Sequence, residues 1–196
     1  MKRRHAMLGL RSEALFGSPA SSARGRFVAA AGALTLALFA TEGQARDLGP
    51  KGGAGGGEFR IACEPGDSVV GFDVMATHVI TRIAPVCGNR KEGGTYGRPW
   101  VGSDVAGATL YKPRCEPGSV LTILHVFWDM TPLVNKFGFT CWNPETGKTN
   151  DVPPSFGGNT QINQKPLICK NREVGTGIIG RAGTAIDALG VTCTRT

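Results

Sequence analysis

The chain has 196 residues, 22 of them basic and 15 acidic, for a net charge of +7, and six are cysteines. This length suits one domain better than two. The apparent basicity is concentrated at the start, which weakens any reading as a nucleic-acid binder.

Residues 1–45 read as a secretory signal. Lys2, Arg3, Arg4, Arg11, Arg24 and Arg26 precede an apolar run from Phe27 to Ala40. Gly43-Gln44-Ala45 then supplies small residues where a signal peptidase cuts. The run is too short to span about 30 Å of hydrocarbon, so no stable membrane insertion of the mature chain is expected. The remaining segment, 46–196, carries 16 basic and 13 acidic side chains, a net charge of +3. It holds no basic stripe for phosphates, and nucleic acid is excluded as a partner.

All six cysteines follow the expected cleavage point, and an even count in a secreted chain reads as three disulfides. Their spacing is periodic. Cys63 to Cys87, Cys115 to Cys141 and Cys169 to Cys193 form three brackets whose starts lie a little over fifty residues apart. Such a period marks an array of supersecondary units, here about 52–98, 99–150 and 151–196. Gly71, Phe72, Ile80 and Ile83 of the first bracket align with Gly177, Ile178, Ile186 and Leu189 of the third. Val134 and Phe137 take the last two places in the second. The turn Cys-Glu-Pro-Gly opens the first two brackets; the third has Lys170-Asn171-Arg172 instead.

Each bracket contains a strand-like run rich in β-branched and aromatic residues: Val69–Val74, Val120–Phe127 and Thr176–Ile179. Glycine-rich approaches precede them at Gly52–Gly57, Gly102–Gly107 and Gly157-Gly158. No mature segment shows a capped helical period. If both cysteines of a bracket end at one edge of a single small sheet, a bridge is feasible. The expected pairs are therefore Cys63–Cys87, Cys115–Cys141 and Cys169–Cys193. A small sheet cannot bury its apolar face alone, but three around a shared axis can. The fold expected is all-β, a prism of three repeated antiparallel sheets with pseudo-threefold symmetry.

Two segments resemble jacalin-related lectins. Gly49-Pro50-Lys51-Gly52-Gly53-Ala54-Gly55-Gly56-Gly57-Glu58-Phe59 is similar to that family's opening G-P-W-G-G-x-G-G-x-x-F. Gly180-Arg181-Ala182-Gly183-Thr184-Ala185-Ile186-Asp187-Ala188-Leu189-Gly190 is similar to its closing G-R-S-G-x-x-[IVL]-D-x-[IL]-G. The resemblance implies a β-prism of three four-stranded sheets. It also implies a metal-independent, single sugar site in the last repeat. There, Gly53 and Gly183, Thr184, Ala185 and Asp187 would hold sugar hydroxyls through backbone N–H groups and one carboxylate. Lys51 departs from the family's usual tryptophan, and the disulfides resemble more distantly those of vitelline membrane outer layer proteins.

Thr81 and Asn135 align with Asp187 but lack a carboxylate. Trp100 and Trp142 read as core, whereas Trp128 sits where a loop belongs. His78 and His125 fall in different units with no ligand-like spacing, so neither metal nor other cofactor is implied. No nucleophile elbow or paired acid motif appears, and the chain reads as a non-enzyme. Glycans or glycoconjugates are the implied partners, and oligomerisation is compatible with this. The alternative reading is a structural or protein-interacting secreted or envelope protein that kept the fold without the sugar site. The expected location is extracellular, or periplasmic in a bacterium.

Overall fold

The computed structural model describes residues 44–195 except 90–92, 132, 155, 159–162 and 171. Nearly all of the expected signal segment lies outside the described residues. The described chain forms strands and turns only. They are β1 (Arg46–Gly52), β2 (Gly57–Ala62), β3 (Ser68–Ala76), β4 (Ile80–Gly88), β5 (Thr95–Gly97), β6 (Val101–Gly102) and β7 (Thr109–Tyr111). Then follow β8 (Val120–Trp128), β9 (Val134–Trp142), β10 (Thr149–Val152), β11 (Asn163–Ile168), β12 (Glu173–Ala182) and β13 (Ile186–Arg195). The three β-branched runs read from the sequence become β3, β8 and β12, each longer than its run.

The strands make three antiparallel sheets of one design. A long hairpin forms the middle, β3–β4, β8–β9 or β12–β13, with short strands on either edge. In the second sheet the order is β5-β4-β3-β7, with β6 also on β4; in the third it is β10-β9-β8-β11. Both are Greek keys, the fourth strand returning beside the first. The first sheet, β1-β13-β12-β2, completes the same pattern by joining the two ends of the described chain.

The inner faces of all three sheets meet in one core. Ile178 and Leu189 come from the first, Phe72, Val74 and Ile83 from the second, and Leu124 and Phe137 from the third, all fully buried. Phe72 presents its ring edge-on to Phe137 and Phe139, with centroids 5.1 and 5.2 Å apart. Such pairs add to simple area burial. The threefold array of apolar hairpins is what makes this shared core reachable.

The cysteines pair as the brackets implied, with Cα separations of 5.6, 5.7 and 5.6 Å. The geometry differs from a staple within one sheet. The Cys63 N–H donates to Thr176 O in the first sheet, whereas Cys87 lies in β4 of the second. Cys115 N–H donates to Val70 O of the second sheet, and Cys141 lies in the third; Cys169 N–H donates to Thr122 O of the third, and Cys193 lies in the first. Each bridge thus clamps a corner between sheets. The reason is that the chain leaves an edge strand at the first cysteine and enters the next hairpin within a few residues.

Each hairpin carries two register shifts at matching places. The first leaves Val70, Thr122 or Thr176 unpaired with the hairpin partner, and these are the residues whose carbonyls hold the cysteine N–H groups. The second leaves out Thr81, Asn135 or Asp187. Their carbonyls accept from Ser103 N (3.0 Å), Gly158 N (3.1 Å) and Gly53 N (2.7 Å). Just before each donor stands a glycine at positive φ: Gly102 at +89°, Gly157 at +93° and Gly52 at +131°. The glycine-rich approaches in the sequence are these three crossings.

Candidate functional site

Asp187 follows Ile186, which is fully buried and anchors the start of β13. The preceding turn is closed by Gly183 N–H donating to Ala185 O at 2.9 Å. Ala185 is buried beneath it, while Gly183 and Thr184 are exposed. The bulge turns Asp187 out of the ladder and leaves its side chain half-buried at the prism end.

The glycine-rich loop lies directly against this turn. A β-carbon on Gly55 would run into Asp187 Oδ1, and one on Gly56 would stand 2.5 Å from Oδ2. Gly53 joins through its N–H to the Asp187 carbonyl. The structure therefore brings together Gly53, Gly183, Thr184, Ala185 and Asp187, drawn from opposite ends of the sequence. Among the described residues no N–H or O–H group is bonded to the Asp187 carboxylate. The turn-capping role open to any aspartate is not the one it takes.

Arg181 holds the glycine loop from the other side. Its Nε donates to Gly55 O at 2.8 Å, its Nη2 to Gly56 O at 2.7 Å and its Nη1 to Glu58 Oε1 at 2.9 Å. A planar guanidinium is suited to such a forked grip. Nothing in the sequence alone points to this role for Arg181, although it stands inside the closing motif. Across the corner, Ser103 Oγ donates to Gly183 O at 3.2 Å.

The equivalent positions are closed. Thr81 is buried and its hydroxyl donates to Met75 O at 3.1 Å. Asn135 is buried and its Nδ2 donates to Asp129 Oδ2 at 3.4 Å. All three tryptophans are half-buried, and the two expected in the core are not the ones that reach it. Trp128 packs on the core, whereas Trp100 and Trp142 are half-buried outside it. Arg82 lies 4.9 Å over the Trp100 ring. His125 faces Thr140 Oγ1 at 3.3 Å, and burial lowers its pKa against the opposing pull of Asp151. Among the described residues no three His, Cys, Asp or Glu side chains gather as a metal site.

Three Greek-key sheets around one core, with the last hairpin sharing its sheet with the first strands, make the β-prism of jacalin-like lectins. The similar solved structures are of that kind. Malaysian banana lectin matches with a TM-score of 0.59 at 22% identity, over 78% of this chain and 100% of its own. Artocarpin complexed with methyl α-mannose matches at 0.59 and 18%, over 77% and 98%. Single-chain recombinant jacalin matches at 0.58 and 17%, over 80% and 98%. No family model and no curated protein matches the chain.

Proposed function

We propose that this chain is a secreted, non-catalytic carbohydrate-binding domain with a single, metal-independent sugar site in its last hairpin. One observation carries the reading: the half-buried Asp187 carboxylate has no protein donor among the described residues and sits between the exposed Gly183-Thr184 turn and the glycine loop. A carboxylate left in that state is ready to accept two adjacent hydroxyl protons in charge-assisted bonds. The N–H groups of Gly53 and Gly183, expected to meet the sugar, are instead used inside the protein, on Asp187 O and Ala185 O, so the backbone donors left beside the carboxylate are those of Thr184 and Ala185. Thr81 and Asn135, both buried and lacking the charge, support one site rather than three. The artocarpin complex makes an α-mannoside the first ligand to try. Secretion is supported by the basic-apolar-small order of residues 1–45 and by the three bridges.

The test is a glycan array on the disulfide-intact mature protein, followed by titration with methyl α-mannoside. Binding in the millimolar-to-micromolar range is expected for so few contacts. Asp187→Ala should abolish it while leaving the melting temperature nearly unchanged. A flat array, with Asp187→Ala indistinguishable from wild type, would leave a prism with a structural or protein-binding role.

A further inference from the structure

The third cysteine turn reverses the charge of the other two. Glu64 and Glu116 follow the first cysteines of their brackets; Lys170 and Arg172 occupy the third turn. Other cations surround this turn. Arg46 bonds through its guanidinium to Glu173, and the exposed Arg195 pairs in register with Glu173 across the hairpin. Lys170 N–H donates to the same carboxylate at 3.0 Å. Exposed Lys148 stands beside Thr149, the register partner of Trp142, with Glu145 in the same turn.

Beside these cations is an apolar hollow of about 230 Å³, lined by Ile123, Trp142 and Ile168, with Arg172 and Glu173 at its rim. Ile168 is 45% exposed and lies beside the half-buried Trp142 at this hollow. This corner lies at the opposite ends of β12 and β13 from Asp187. Over ten residues of strand, that separates the two regions by roughly 30 Å.

We propose that this corner is a peripheral docking surface for an anionic lipid membrane. The cations supply attraction to acidic head groups, and Trp142 and Ile168 supply the aromatic and aliphatic anchors that settle at the interface. The contact is superficial: among the described residues no helix is long and apolar enough to cross a membrane. A soluble acidic polymer would use the cations and leave the hollow idle. A membrane uses both, which is why charge and apolar exposure side by side favour it. Docking by this corner would leave the Asp187 end facing away from the lipid.

The experiment is sedimentation of the mature protein with vesicles of phosphatidylcholine alone and of phosphatidylcholine mixed with phosphatidylglycerol. Wild type should bind only the mixed vesicles. Lys170→Glu/Arg172→Glu should weaken partitioning at least about tenfold, since each cation near an anionic surface counts separately. Ile168→Ser should weaken it several-fold with all charges intact, and most clearly at raised salt. All these side chains are exposed, so near-ultraviolet dichroism should report an unchanged fold in both variants. Three results overturn the proposal: no binding to mixed vesicles, binding indifferent to Ile168→Ser, or tighter binding to a soluble acidic polysaccharide than to the vesicles.

Discussion

Gly52 crosses the carbonyl of Asp187 so closely that no side chain fits between them, and the next residue, Gly53, donates its N–H to that oxygen at 2.7 Å. The same crossing recurs at Gly102 over Thr81 and at Gly157 over Asn135. Replacing any of the three with alanine should cost at least about 2 kcal/mol, because a β-carbon meets backbone and the positive φ resists it. Gly49→Ala, with open space around it, is the control and should change little. Chemical denaturation of the four variants checks this, and only Gly52→Ala should also weaken glycan binding.

Arg181 holds the glycine loop against the Asp187 turn, and on the proposed function it would position that loop for the ligand. Arg181→Lys keeps the charge but cannot fork between Gly55 O and Gly56 O. Affinity for methyl α-mannoside should fall several-fold with a melting point close to wild type, and Arg181→Ala should fall further. Exchange of the Gly55–Gly57 amides with deuterium should quicken in both variants. Glu58→Gln removes only an exposed ion pair and should be near neutral.

The corner bridges each close a loop of about 25 residues, and removing one should cost roughly 3 kcal/mol. Replacing each pair with serines, followed by urea titration, measures this. The Cys169–Cys193 loss should lower stability without abolishing glycan binding, since that bridge lies at the far end of β12 and β13 from Asp187.

Stability should depend on pH through His125. Burial lowers its folded pKa, so the unfolded chain binds the proton more readily. Stability is therefore whole above the unfolded value of about 6.5 and declines as pH falls from there toward the folded value. His125→Gln should flatten that part of the melting-temperature profile. At lower pH a second decline is expected, as Glu173 and Asp47, held below the usual carboxylate range by Arg46 and Arg60, take up protons. These pairs are solvent-accessible, so that step should be small and should shrink further at raised salt.

Much of this was legible in the sequence because the repeat is written in covalent and steric necessities. Cysteines can pair only across short gaps, and glycines mark crossings that no side chain survives. The alignment of Asp187 with Thr81 and Asn135 was readable for the same reason, since each occupies the second bulge. The corner placement of the bridges was not, because exchange of edge strands between neighbours leaves no trace in a period-two pattern. Arg181 was missed because a forked grip on two carbonyls needs a loop from the far end of the chain. Trp128 could not be placed from the sequence because a strand-end aromatic and a loop aromatic read alike until the hairpin boundary is known.

The sharing of one sheet by β1, β2, β12 and β13 has a temporal consequence. During synthesis Gly53 emerges early and must wait, unpaired, for Asp187 to arrive. No nascent or truncated chain lacking the last hairpin can hold the complete loop pair. The ability to grip a ligand would therefore report that the last hairpin has been made and has closed on the first strands.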